Sequence, residues 1–97
     1  MIVQGSCECG AVAFDLHGPL RDVVVCHCLQ CRKTSGHYWA ATSVPNPQLH
    51  LRKSESLIWY RSSDVARRGF CTGSGSSLLY ELDGEGRTSV GAGTLDG

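Results

Sequence analysis

Six cysteines fall in three places along a chain of 97 residues, and nothing else in it constrains the fold as tightly. Cys7 and Cys9 lie in "GSCECG". Cys26, Cys28 and Cys31 lie in "VVVCHCLQCRKTSG". Cys71 stands alone in "FCTGSG". A chain this short builds one domain with a limited core, so cross-links or bound metals add weight to its stability. Such thiols serve as disulfides or as metal ligands. The opening "MIVQGSCECG" lacks the charged lead and apolar stretch of a secretory signal, so a cytoplasmic protein is expected. In that compartment thiols stay reduced, and clustered cysteines point to metal or catalysis before disulfides.

The spacings fit a metal. The C-x-C pairs at Cys7/Cys9 and Cys26/Cys28 suit loops that turn alternate side chains toward one ion. Cys28 and Cys31 form C-x-x-C, a common zinc half-site. Thiolates favour zinc over magnesium or calcium. The economical division is Cys26, Cys28 and Cys31 at one ion and Cys7, Cys9 and Cys71 at another. A structural zinc takes four protein ligands, whereas a catalytic one keeps a place open. Each triplet is one ligand short of closure, so spacing does not distinguish the two roles.

Glycines, 12 in all, punctuate short apolar runs. Strands are expected at "AVAFDL", "DVVVC", "HYWAATSV", "LHLRK", "SLIWYRS" and "SSLLYEL", with "TSVGAG" a weaker candidate. Turns are expected at "HGP", "PNP", "GSGSS" and "DGEG". Pro45 and Pro47 argue against a central strand at their positions. One helical turn is expected, "LQCRKTSG", ended by Gly36. The reading is an all-β domain. Nine basic residues balance nine acidic ones, which gives no electrostatic footprint for nucleic acid. No apolar run approaches the roughly 20 residues of a membrane span, and no basic amphipathic stretch suggests a membrane surface.

Taken in order, the motifs resemble a known family. "GSCECGAVAF", "CHCLQCRKTSG", "RRGFCTGSGSSLLY" and "GAGTLDG" are similar to the successive signatures of the glutathione-dependent formaldehyde-activating enzymes, the Gfa or CENP-V-like domain family. The resemblance covers nearly the whole chain. It implies a single domain over residues 1–97, an all-β assembly of small zinc-bearing sheets similar to the Mss4-like fold. It implies a structural zinc on Cys7, Cys9 and Cys71. It implies a second zinc on Cys26, Cys28 and Cys31, whose open place receives water or a substrate thiol. The implied reaction adds the glutathione thiol to formaldehyde, so the expected partner is a small-molecule thiol. Two departures stand out. Ser74 replaces a family cysteine in the third motif, and its neutral hydroxyl is a poor zinc ligand beside thiolates. His17, His37, His50 and Asp96 are candidate substitutes. The sequence also ends with "GTLDG", at Gly97, where family members commonly continue, so the expectation is either a short divergent member or one lacking a C-terminal segment over the core or pocket.

Three thiolates leave a divalent ion with a net charge of about −1. Arg32 and Lys33, next to Cys31, are expected to offset that charge and attract glutathione carboxylates, unless they are simply solvated helix charges. His27 is either a proton shuttle or a side chain turned to the opposite face. Trp39, Tyr38, Trp59 and Tyr60 fit strand packing better than ligand stacking. "GSGSS" lacks a P-loop lysine and reads as a zinc-knuckle turn. Arg67 and Arg68 either bind an acidic substrate group or pair across a sheet. Three functions compete: a zinc-dependent carbon–sulfur lyase, a non-catalytic zinc-stabilised interaction module, and a thiol-based metal carrier or redox sensor.

Overall fold

In the computed structural model, which describes residues 1–96, period-2 burial builds most of the strands. In chain order the elements are β1 (Ile2–Ser6), β2 (Ala13–His17), β3 (Val24–Cys26), α1 (Leu29–Ser35), β4 (Trp39–Pro45), β5 (Leu49–Lys53), β6 (Leu57–Arg61), β7 (Ala66–Cys71), β8 (Ser77–Leu82) and β9 (Arg87–Gly91). Short 3-10 turns follow β4 and β9, at Asn46–Gln48 and Ala92–Thr94. The last glycine of "GAGTLDG" lies outside the described residues.

Two antiparallel sheets result, a three-stranded one ordered β1-β2-β5 and a six-stranded one ordered β3-β4-β9-β8-β7-β6. Residues opposite one another across antiparallel strands share a face, so the register assigns the faces of the larger sheet. Trp59 pairs with Gly69, Gly69 with Leu79, Leu79 with Val90, and Val90 with Thr42. Leu79 and Val90 of this row pack with Phe14 and Leu16 of β2 in the core between the sheets, and all four are buried. The alternate row runs Tyr60, Arg68, Tyr80, Ser89, Ser43. That face turns away from the core and carries α1. Cys7 and Cys71 belong to the same buried cluster as Phe14, so the first thiol group is built into the core itself.

The expected strands all form, most with slightly shifted ends, and "TSVGAG" contributes to β9. Two strands were not expected, β1 and β7. The sequence of β7, "ARRGFC", hides its pattern behind two arginines and a glycine. Tertiary context makes it a strand. Arg67 finds Glu81 directly opposite, and a Cβ at Gly69 would stand 3.1 Å from Leu57 and 3.3 Å from Trp59. Pro45 does close β4, a central strand, contrary to expectation. It sits on the final rung, opposite Arg87, where the chain already enters a 3-10 turn and one missing N–H costs little.

Gly5 is the tightest point between β1 and β2. A Cβ there would lie 2.6 Å from the Phe14 ring and 2.9 Å from the Thr94 carbonyl oxygen. Gly5→Ala is expected to destabilise the fold by about 1–3 kcal/mol through overpacking, seen as a lower urea midpoint with an unchanged slope.

Candidate metal centres and the adjoining cleft

The first thiol group is made where two turns meet. After β1, the chain reverses through Gly10, whose amide donates to the Cys7 carbonyl at 3.2 Å. After β7, the Gly75 amide donates to the Cys71 carbonyl at 2.7 Å, closing the turn expected at "GSGSS". Gly75 adopts φ +75°, a conformation natural to glycine. The two turns bring Cys9 Sγ within 3.6 Å of Cys7 Sγ and 3.7 Å of Cys71 Sγ. Four ligands at about 2.3 Å around a tetrahedral zinc lie about 3.8 Å apart. The sulfurs therefore already stand close to the edges of such a tetrahedron. Backbone N–H groups of Val12 and Ser74 donate to Cys7 Sγ and Cys71 Sγ at 3.3 and 3.4 Å. Burial opposes ionisation of Cys7. The Val12 amide and then the Cys9, Cys71 and Ser74 side chains outweigh it and bring the thiol down to about 6. Cys71 is also lowered, chiefly by the Ser74 side chain and amide.

Ser74 thus lies among the sulfurs where the motif lacks its fourth cysteine. Its hydroxyl is 3.0 Å from that of Ser76, which accepts the Glu8 amide at 3.0 Å. None of the four proposed substitutes joins the group: among the described residues it comprises only Cys7, Cys9 and Cys71. His17 and His50 face each other instead, with ring centroids 4.5 Å apart. His37 lies against Tyr38, and Asp96 accepts from Ser6 Oγ.

The second group forms at the junction of β3 and α1. Cys26 ends the strand, Cys28 caps the helix, and Cys31 points inward from its first turn. The cap explains the C-x-x-C spacing. Cys28 Sγ accepts the amide of Cys31, the N3 position, at 3.3 Å, as an oxygen would at a usual N-cap. Gly36, at φ +87°, ends the helix as expected. The three ligand atoms lie within 4.8 Å of one another. Cys31 is buried, Cys26 half-buried and Cys28 exposed. The Cys31 amide, with the Cys31 and Cys26 side chains, brings the Cys28 thiol down to about 7. Burial, then the hydrogen bond to Cys26, pushes Cys31 up to about 11.

Arg68 opposes that rise. Its Nη2 donates to Cys31 Sγ at 3.4 Å, while its guanidinium stands 4.9 Å from the Tyr80 ring centroid and 5.8 Å from that of Trp39. The neighbouring arginine is engaged elsewhere, since Arg67 pairs with Glu81 at 2.8 Å and stacks 3.9 Å over Trp59. Arg67 thus pairs across the sheet, whereas Arg68 reaches the sulfurs. Arg32 and Lys33 are exposed on α1, and the cation in contact with a sulfur is Arg68. Strand alternation on β7, once the strand is known, is the signal that singles it out. His27 is exposed, with its ring centroid 5.5 Å from that of Tyr38.

A cavity of about 230 Å3 opens beside this group, walled by Cys26, Cys28, Cys31, Trp39, Arg68 and Tyr80. Both groups thus offer three converging thiols to a metal ion, and the all-sulfur donor set suits zinc. They differ in surroundings: the first is knitted into the core, whereas the second faces a cleft.

In metal-free protein the lowered Cys7 thiol is ionised above about pH 6. Ultraviolet titration should therefore show a thiolate step below neutrality that shrinks or moves to higher pH in Cys7→Ser, since the neighbouring Cys71 thiol is lowered as well. Ser74→Cys supplies a fourth thiolate to the first group. Chelator competition should show metal held at least about tenfold more tightly there, the scale on which ligand-shell changes act.

No functionally curated protein matches the chain. A crystal structure of a Rhodobacter sphaeroides protein shares its fold, with a TM-score of 0.83 at 24% identity, covering 97% of this chain and 88% of that one. The profile of the glutathione-dependent formaldehyde-activating enzymes matches residues 2–97. With both cysteine groups of that resemblance assembled in space and the match spanning the chain, the protein belongs to the glutathione-dependent formaldehyde-activating enzyme family.

Proposed function

We propose that the chain is a zinc-dependent enzyme of the carbon–sulfur lyase type, which joins glutathione, or a similar small thiol, to formaldehyde or a related small aldehyde. The observation that carries this reading is the convergence of Cys26, Cys28 and Cys31 on the wall of a cleft. Those three residues are assigned as the active-site ligands, and Cys7, Cys9 and Cys71 as ligands of a structural zinc. Zinc in the cleft supplies two things, ionisation of a bound thiol at neutral pH and polarisation of an aldehyde carbonyl.

The chain's own residues supply the rest. Arg68 places a permanent positive charge against Cys31 Sγ, offsetting part of the charge of about −1 that three thiolates leave on a divalent ion. Trp39 and Tyr80 flank that guanidinium and limit its access to water. Arg32 and Lys33, exposed on the same helix as Cys31, draw the glutathione carboxylates toward the cleft from outside. Arg21 lines the cleft with its guanidinium held on the Ala41 carbonyl at 3.0 Å. The bond balance is simple: sulfur joins the aldehyde carbon, the carbonyl π bond opens, and the thiol proton ends on the oxygen. The cytoplasm, reducing and rich in glutathione, is the compartment assigned to this reaction. No described helix is long and apolar enough to cross a membrane.

Cys28→Ala is expected to lose one of two bound zinc ions and abolish turnover of formaldehyde with glutathione, while the first group keeps its metal. Turnover that survives with the second zinc gone would refute the assignment. Zinc uptake at this group must displace the proton of Cys31, held to about 11, and below about pH 7 that of Cys28 too. Its apparent zinc affinity should therefore fall as pH is lowered, measured by competition with a chelator of known pH dependence.

A further inference from the structure

The α1-bearing face of the six-stranded sheet holds a second cavity, of about 430 Å3, with Thr34, Trp39, Tyr60, Arg68 and Phe70 in its wall. It shares Trp39 and Arg68 with the cysteine-lined cleft, so the two adjoin across one partition. The partition is fixed. Arg68 is bonded to Cys31, and α1 is tied down by Ser77 Oγ donating to the Thr34 carbonyl at 3.0 Å and Gln30 Nε2 donating to the Ser62 carbonyl at 2.9 Å.

The chamber is too large for formaldehyde and too apolar for glutathione. Its volume falls within the roughly 300–1,000 Å3 usual for small-molecule sites, and the cleft alone falls below it. Formaldehyde, with one carbon, needs neither. Glutathione carries two carboxylates and an ammonium, whereas this wall offers one guanidinium, that of Arg68, already hydrogen-bonded to Cys31, and no acidic group. An apolar group of the size of a phenyl ring or a branched alkyl chain matches a wall that includes Trp39, Tyr60, Phe70 and Leu79.

We propose that this chamber binds the apolar substituent of a larger aldehyde, so that the substrate class is aryl- or branched-alkyl-substituted aldehydes, with the carbonyl toward the Cys26–Cys28–Cys31 end. The inference rests on the thiol–aldehyde reading above. The step is the same addition: one carbon–sulfur bond forms, the carbonyl π bond opens, the thiol proton passes to oxygen, and nothing is oxidised or reduced.

The test compares formaldehyde with phenylacetaldehyde, each with glutathione, by following adduct exchange over the uncatalysed rate with NMR. The zinc-loaded wild type should handle phenylacetaldehyde with a kcat/KM at least equal to that for formaldehyde. Thr34→Trp, which adds an indole to the wall from an exposed position on α1, should lower the ratio of the two kcat/KM values at least tenfold. A general folding defect lowers both rates and leaves the ratio alone. Tyr60→Ala, which removes an aromatic wall, should move the ratio in the same direction. Turnover of formaldehyde without phenylacetaldehyde, or a ratio indifferent to both variants, overturns the proposal. Turnover of neither aldehyde sinks the thiol–aldehyde reading instead. In that case, saturation-transfer NMR with benzyl alcohol decides the chamber: binding to wild type that Thr34→Trp abolishes upholds an apolar-ligand site, and no binding to wild type overturns it.

Discussion

Sulfur from separate turns must meet in one place, and the rest of the molecule is arranged around that requirement. Cys7 and Cys9 follow β1, while Cys71 ends β7 in the other sheet. Cys7 and Cys71 close the core where the two sheets come together, beside Phe14 and Val12, and Cys9 meets them from the exposed side. A domain of this size buries too little apolar surface to be generously stable. A cross-link between sheets at the edge of the core therefore counts for more here than it would in a larger protein. The N–H groups of Val12 and Ser74 aim at these sulfurs, so the backbone is already arranged to hold negative charge there.

The second thiol group uses different means. It depends on a single short helix laid across the outward face of the larger sheet. Its start is set by a cysteine acting as N-cap and its end by a left-handed glycine, so both boundaries of the helix coincide with functional or turn residues. Under the proposed assignment Cys28 has two demands on one sulfur, capping and metal ligation. Metal binding and helix formation are then coupled, since the same sulfur orders both. Arg68 completes the arrangement from beneath. It links β7 to α1 through Cys31 and sets a positive charge beside the three clustered thiols. The contrast between the groups follows from placement: one sits between sheets, and the other sits on a sheet, with open volume beside it.

Much of this was legible in the sequence. The thiols group in space as the sequence divided them: C-x-C and C-x-x-C spacing paired five of the six, and Cys71, alone in its motif, was joined to Cys7 and Cys9 by economy. Gly36 marked the helix end, and alternation located most strands. What could not be read was the long-range part. β7 looks polar because its arginines face a glutamate and a sulfur that lie far off in sequence, at Glu81 and Cys31. For the same reason Arg68 gave no local sign of its place, whereas Arg32 and Lys33 drew attention by adjacency and proved to be on the exposed helix surface. The chamber beside Arg68 was equally hidden, since its wall draws on α1, β4, β6, β7 and β8 at once.

The central claim is that each thiol group holds one metal ion on three sulfurs, with the fourth place filled by something other than a chain cysteine. Zinc-edge X-ray absorption on protein carrying its full complement of zinc tests this most directly. The account predicts two zinc ions per chain and an average first shell of three sulfurs at about 2.3 Å with one lighter oxygen or nitrogen ligand. A shell of four sulfurs per zinc, or one dominated by oxygen and nitrogen, would contradict it.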